Sequence, residues 1–345
     1  MNWIKSFIQI FFITAIVFFT IDFSITAFSG YRGFSKFFTS DSVEGRMNKP
    51  YFSGLFGSPL TEFKGLVNIG KYGERLSSTD GCENVLSKIL FLGDSITAGF
   101  EVDDNKTFVS LFNKNCKSNG KVGINLGVRG HDTHAVIGTY IRVKDYLPHK
   151  SVVYFITKTD LEANINPEAY NTLTKKFGRR FNNTIIKPEE SIWFKIYAGI
   201  RIFISDNLSL TTFTITRIIK LKDIILKSNI NEIYNQSDIA NRIDITFQLI
   251  SKLNDLANAN GSKLYVIPQP NLFSKKDDNN LFDKLGNKIQ FGLPEVIYIT
   301  DIDKKVKKLL LREKKKIVDM RFKSDMHLSE YGHKIIAEVL ETIID

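Results

Sequence analysis

Cysteine is scarce in this chain of 345 residues: only Cys82 and Cys116 occur, and nothing near either resembles a metal site. The even count allows one bridge in an oxidising compartment, and two buried, unpaired thiols are the alternative. Zinc-finger, RRM and basic-zipper patterns are absent as well. The surplus of 47 Lys and Arg over 37 Asp and Glu, a net +10, therefore does not point to nucleic acid. Its densest run, "KKVKKLLLREKKK" (304–316), interleaves apolar residues like an exposed helix face, with contact to an anionic surface or polymer as the alternative. The G-x-G-x-x-G and P-loop spacings are also missing, which argues against a nucleotide-phosphate loop at "GDSITAG". No internal repeat or low-complexity tract appears. What remains is a globular composition, 43% hydrophobic and 24% charged, able to bury a substantial core.

The N-terminus is the one long apolar run. Residues 6–21 carry no charge, and Asp22 alone interrupts the stretch before Arg32. Sixteen helical residues reach about 24 Å, short of a hydrocarbon core of roughly 30 Å, but extension through Asp22 to Phe28 gives a full span. Lys5 ahead of the span keeps the N-terminus cytoplasmic and sends the body across the membrane. The expectation is a single-pass cell-membrane anchor over 1–30, with a signal peptide cleaved near Ala27-Phe28-Ser29 as the alternative.

Residues 31–86 show no sustained period and read as a tether and an extension lying on the main domain. From residue 87 short apolar runs alternate with helical stretches. "KILFLG" (88–93), "KVGINLG" (121–127), "SVVYFIT" (151–157), "KLYVIPQP" (263–270) and "KIVDM" (316–320) read as strands. Helices are expected over 106–117, 133–147 and 240–261, and at the C-terminus. Nearly unbroken apolar strands imply a parallel sheet covered on both faces, hence a three-layer, flavodoxin-like α/β domain over 87–345 with about five strands. A helical insertion interrupts it at about 165–236, with "SIWFKIYAGIRIFI" and "FTITRIIKLKDIILK" as amphipathic segments expected to pack on the domain, with covering the site or resting on the membrane surface as alternatives.

In open α/β sheets, functional groups gather beyond the carboxyl ends of the strands. Gly93-Asp94-Ser95 sits at such an end, where Ser95 either N-caps a helix or serves as a nucleophile near its positive terminus. "NLGVRGHD" (125–132) follows the second strand, and Gly130 can turn a backbone N–H towards an oxyanion. In "SDMHLSEYGHKIIAEVL", His327 lies in a loop two residues after Asp325, while His333 falls within the terminal helix and reads as structural. A serine hydroxyl needs a base, and the base needs an acid to fix its tautomer. Ser95, His327 and Asp325 supply those types.

The blocks "FLGDSITAGFEV", "NLGVRGHDTH" and "DMHLSEYGHKIIA", in this order and spacing, resemble the SGNH (GDSL) hydrolase superfamily over about 87–164 and 237–345. With the apolar N-terminus, "NIGKYGER" (68–75) resembles the membrane-tethered bacterial members found with surface-polysaccharide machinery. The resemblance implies a serine esterase or O-acyl(acetyl)transferase acting on acyl esters, with Ser95 as nucleophile and His327 as base. The N–H groups of Ser95 and Gly130 would form part of the oxyanion hole. No metal or organic cofactor is implied.

Two positions depart from the family pattern. Thr159 stands where the family's oxyanion Asn is expected, and Asn164 could substitute if its loop folds back. The acid position three residues before the histidine holds Ser324, so Asp325, one place closer, is the expected acid and Asp319 a less favoured stand-in. Asp94 and Asp160 are supporting candidates, Asp160 more as a structural residue. The expected partners are an acyl ester or glycan substrate and the membrane. The oligomeric state is not legible. A second reading is a catalytically impaired SGNH-like scaffold that binds a polymer or an assembly partner.

Overall fold

Strands covered on both faces carry apolar residues at odd and even positions alike. Ser87–Gly93 does so: Ile89 and Phe91 pack on one side of the sheet, Leu90 and Leu92 on the other. The structure, a computed structural model, describes residues 2–28, 33–41, 44–57, 62–78, 82, 85, 87–164, 180–181, 184–185, 200, 203–208, 210–211, 214–215, 236–270, 279–323 and 325–344.

Helix α1 (Asn2–Phe28) is followed by two antiparallel hairpins, β1 (Phe38–Asp41) with β2 (Gly45–Asn48) and β3 (Ser53–Gly57) with β4 (Lys64–Asn68). The core then runs β5 (Ser87–Gly93), α2 (Ser95–Ala98), α3 (Phe108–Asn113), α4 (Cys116–Asn119), β6 (Lys121–Asn125), α5 (Thr133–Val143), β7 (Ser151–Ile156) and α6 (Lys158–Ala163). A short hairpin follows, β8 (Arg180–Phe181) with β9 (Thr184–Ile185). The chain closes with α7 (Gln236–Ala259), β10 (Lys263–Pro268), α8 (Asn279–Gly292), β11 (Ile297–Tyr298), α9 (Ile302–Arg312) and α10 (Glu330–Glu341).

The five core strands pair in parallel in the order β11-β10-β7-β5-β6. Helices α5, α7 and α8 cover one face, and α3, α9 and α10 the other. The chain leaves β5 towards β6, then returns to pair β7 on the other side of β5. At that reversal the connections after β5 and β7 run to opposite sides, the place beyond the strands' carboxyl ends where open α/β sheets hold their sites. Ser95 is the first helical residue at this edge.

Two expectations need correction. "KIVDM" is not a strand: Ile317–Met320 forms a 3-10 turn, closed by the Asp319 carboxylate accepting the Lys316 N–H at 2.9 Å. The fifth strand is the two-residue β11, too short to show a period. The helix expected over 106–117 breaks into α3 and α4 at Lys114–Asn115. Within residues 31–86, the 3-10 turn Phe34–Phe37 and the two hairpins bury Phe37, Phe38 and Phe56 against Phe100, just beyond α2. Cys82 and Cys116 are disulfide-bonded and buried with Val122, tying the extension to α4. Residues Lys5–Phe28 of α1 form a helix long and apolar enough to cross a membrane, with a mean hydropathy of 2.1. Most of the insertion, including nearly all of its two amphipathic segments, lies outside the described residues.

Candidate active site

The site is built on the turn between β5 and α2. Gly93 sits at φ 154°, where a Cβ would lie 2.3 Å from Thr97 Oγ1 and 2.9 Å from the Phe155 carbonyl, so the turn can be this tight only with glycine. Asp94 caps α2 by accepting the Ile96 N–H at 2.9 Å, which leaves half-buried Ser95 as its first residue. Burial raises the Asp94 carboxyl above its ordinary range, against the Ile96 N–H and the charge of His327, which both favour ionisation.

His327 is held by local chain geometry. An antiparallel bridge between Arg321 and Leu328 pinches the loop, and the Phe322 N–H donates to the His327 carbonyl at 3.3 Å. Within it, the Asp325 carboxylate accepts from the His327 backbone N–H at 2.8 Å and bonds the ring Nδ1 with the same oxygen. An aspartate bonding the N–H two residues on is the ordinary Asx-turn, which explains why the two-residue spacing brings acid and imidazole together. Burial opposes the Asp325 charge, but the bonds from His327 and the charge of Arg129 outweigh it and hold the carboxyl down to about 2. Among the described residues, His327 Nε2 makes no protein hydrogen bond, and none joins the ring to the Ser95 hydroxyl. Catalytic hydrogen bonds are often loose before substrate binds.

Glu101 is the residue that sequence reasoning missed. It is 2% exposed, and its Oε1 lies 3.4 Å from His327 Nδ1 while pairing with the Arg129 guanidinium. Its other oxygen is buried without a partner. The available signal was an acid set between Phe100 and Val102, both buried, inside the block that carries Ser95. Its position depends on Arg75 of "NIGKYGER". That fully buried guanidinium binds Asp104 at 2.7 Å and the carbonyls of Ala98 at 2.9 Å and Val102 at 2.5 Å, together with the Gly99 carbonyl. It thereby fixes the 98–102 loop. Glu101, Asp325 and His327 offer ligand atoms within 4.8 Å of one another, a spacing open to a cation. The arginine on Glu101 and the bond already joining Nδ1 to Asp325 suit the trio to moving a proton instead.

The remaining candidates divide clearly. Gly130, at φ 75°, is exposed beside Arg46, whose guanidinium bonds the Arg129 carbonyl. Neither the Gly130 N–H nor the Ser95 N–H has a partner among the described residues. Thr159 reaches the turn, but its hydroxyl is engaged with Thr157 Oγ1 at 2.8 Å and Asp94 Oδ2 at 3.5 Å. Asn164 does not fold back towards the site. Both its amide bonds are spent inside the core, on Thr133 Oγ1 at 2.9 Å and Thr246 Oγ1 at 2.8 Å. Asp160 closes the capping box of α6 with Thr157 and is buried, which with neighbouring Asp94 pushes its carboxyl well above the ordinary range. His333 is buried, accepts the Phe108 N–H at 3.1 Å and stacks on that ring. Asp319 caps its own turn and does not approach His327 among the described contacts.

The sequence matches no family model and no curated protein sequence. Among solved structures the chain is similar to TesA, at 11% identity over 75% of this chain and 98% of that one, with a TM-score of 0.43. It is also similar to a lipolytic protein of the G-D-S-L family from Veillonella parvula, at 11% identity, 75% and 98% coverage and a TM-score of 0.41. The acetyl xylan esterase AlAXEase shows 15% identity, 75% and 100% coverage and a TM-score of 0.38. The resemblance to the SGNH (GDSL) hydrolases is carried by the sequence blocks that hold Ser95, Gly130 and His327.

Proposed function

We propose that this chain is a membrane-anchored serine esterase or acyltransferase of the extracytoplasmic face, acting on O-acyl, most simply O-acetyl, groups of a cell-surface glycan. His327 Nε2 takes the Ser95 hydroxyl proton as Oγ attacks the ester carbonyl, and the N–H groups of Ser95 and Gly130 receive the oxyanion. The imidazolium returns its proton to the departing alcohol oxygen, leaving an acyl-serine. Water or a sugar hydroxyl, deprotonated by the same ring, then attacks the acyl carbon and frees Ser95. Asp325 and Glu101 lie at Nδ1, where they stabilise the charged ring. The Asp325–His327 pair, with the ring's Nε2 making no protein hydrogen bond among the described residues, is the observation that carries this reading.

The test is hydrolysis of p-nitrophenyl acetate and labelling by a fluorophosphonate, using the full chain in detergent and its Ser95→Ala variant. Activity and labelling lost with Ser95 support the proposal. Equal background rates without labelling favour the second reading, a binding shell that keeps the fold without the chemistry. One observation supports that alternative: Thr159, in place of an oxyanion amide, spends its hydroxyl on Thr157 and Asp94.

A further inference from the structure

A carboxylate in a helix composed to span a bilayer needs partners, because hydrocarbon offers none. Asp22 of α1 has them. It is 0% exposed, on a helix whose neighbouring apolar side chains mostly face outward, Phe19 at 45%, Ile21 at 51% and Phe23 at 49% among them. Its oxygens accept from the Leu210 N–H at 2.8 Å, the Thr211 N–H at 2.8 Å and the Thr211 hydroxyl at 2.7 Å. These donors come from the insertion, more than 180 residues along the chain.

A second contact fastens the same segment to the chain just beyond α1. Asp206, itself buried, accepts from the Ser35 N–H at 3.3 Å and from the Ser35 hydroxyl. Gly33 packs so closely that a Cβ there would lie 2.2 Å from the Asp206 Cα. Asp22 lies six residues before the end of α1, or about 9 Å along the helix axis. The Leu210–Thr211 backbone therefore sits at the level of the apolar helix, below its end. Around this seat the insertion leaves Ile200, Phe203 and Ile215 exposed by 54%, 55% and 42%.

We propose that the described residues of the insertion between 200 and 215 are seated in the membrane on α1, with Asp22 as their receptor, and that Ile200, Phe203 and Ile215 face the acyl chains of the bilayer. The occupant of this apolar surface is lipid because the hydrogen bonds to Asp22 fix the segment's depth against a helix long enough to span. The proposal rests on reading α1 as an anchor retained in the mature protein. Its consequence is that α1 is more than a tether. A chain cleaved near residue 28 would leave the insertion's donors at Leu210 and Thr211 without their acceptor. Between Phe28 and Phe34 at most about 20 Å of chain intervenes, and Phe34 packs on Arg129, the partner of Glu101. The candidate site is thus held close to the membrane surface.

The native cysteines are bonded to each other, so a single introduced cysteine can be labelled alone. The full chain carrying Phe203→Cys labelled with nitrobenzoxadiazole is reconstituted into phosphatidylethanolamine–phosphatidylglycerol vesicles with brominated acyl chains. Phe19→Cys on α1 serves as the reference. Both labels are expected to be quenched. Adding Asp22→Ala, which only makes α1 more apolar, should cut quenching at 203 several-fold and leave it unchanged at 19, with Asp22→Asn intermediate. An unquenched label at 203 beside a quenched one at 19 overturns the membrane seat, as would quenching at 203 indifferent to Asp22→Ala. An unquenched label at 19 overturns the anchor reading itself, and this proposal with it.

Discussion

Replacing Asp325 by Asn tests how the imidazole is held. The carboxyl is pulled from an ordinary 3.8 to about 2, chiefly against burial and by its bonds to His327. At 1.36 kcal/mol per unit, with the side chain 29% exposed, the net pull on the Asp325 charge, from the His327 ring, its backbone N–H and Arg129 together against burial, is about 2 kcal/mol. The ring's share of it is felt in full only when the ring has taken the serine proton, so its loss falls on the transition state. About 2 kcal/mol corresponds to about 30-fold in kcat/KM. Where a single acid holds the histidine, the same replacement costs about 10⁴-fold. Here Glu101 stands 3.4 Å from the same nitrogen and retains part of the field. The expectation is therefore a loss of about 30-fold in p-nitrophenyl acetate hydrolysis for Asp325→Asn. Glu101→Gln should show a smaller loss, and the double variant a loss well beyond their product. A 10⁴-fold loss from Asp325→Asn with Glu101→Gln harmless would refute the shared-acid argument, and indifference to all three would remove His327 as the base. The carboxyl also contributes to stability with a defined sign. Its folded pKa lies below the ordinary value, so its contribution is complete above about pH 4 and is lost as pH falls towards 2. Asp325→Asn should flatten that part of an acid unfolding curve.

Thr159→Asn restores an amide where the hydroxyl is now engaged; if an oxyanion donor is missing, kcat should rise by up to about 10² with KM little changed, and an unaltered kcat would show that Ser95 and Gly130 suffice. His131 and His333 are held neutral by burial, each lowered to about 3. Because both folded values lie below the ordinary 6.5, stability should be complete above that pH and fall by about 1.4 kcal/mol per pH unit per histidine below it. A thermal midpoint flat between pH 7 and pH 4 would contradict their burial. Arg75→Met withdraws the guanidinium from Asp104 and from three loop carbonyls, and should cost about 3–5 kcal/mol in a denaturant titration while lowering activity through the displaced Glu101. Full stability in that variant would mean the loop is held elsewhere.

Those residues also show why some parts of the molecule were legible and others were not. The unbroken apolar runs "KILFLG" and "SVVYFI" name central strands because only a sheet covered on both faces needs them, and both sit at the centre of β11-β10-β7-β5-β6. "KIVDM" has the same apolar flavour over a shorter stretch, and there the local bond from Asp319 to the Lys316 N–H decided the conformation. The two-residue β11 is too brief to carry any period. The Asp325–His327 contact could be anticipated because it is made within one turn. The meeting of Glu101 with His327 could not, because it depends on Arg75, in another block, gripping the 98–102 carbonyls. The same holds for Asp22. In sequence it is a flaw in an apolar run; in three dimensions it is satisfied by residues 210 and 211, at a distance along the chain that no local pattern reports. Contacts made within one turn leave their mark in spacing. One made by a buried charge across the fold leaves at most an isolated polar residue in an apolar run, as Asp22 does, while Arg75 and Glu101 stand among other charges and leave no such mark, each bound to chemistry far away in sequence. An isolated charge in an apolar stretch is therefore worth reading as an unmet demand for a distant partner, as Asp22 is for Leu210 and Thr211.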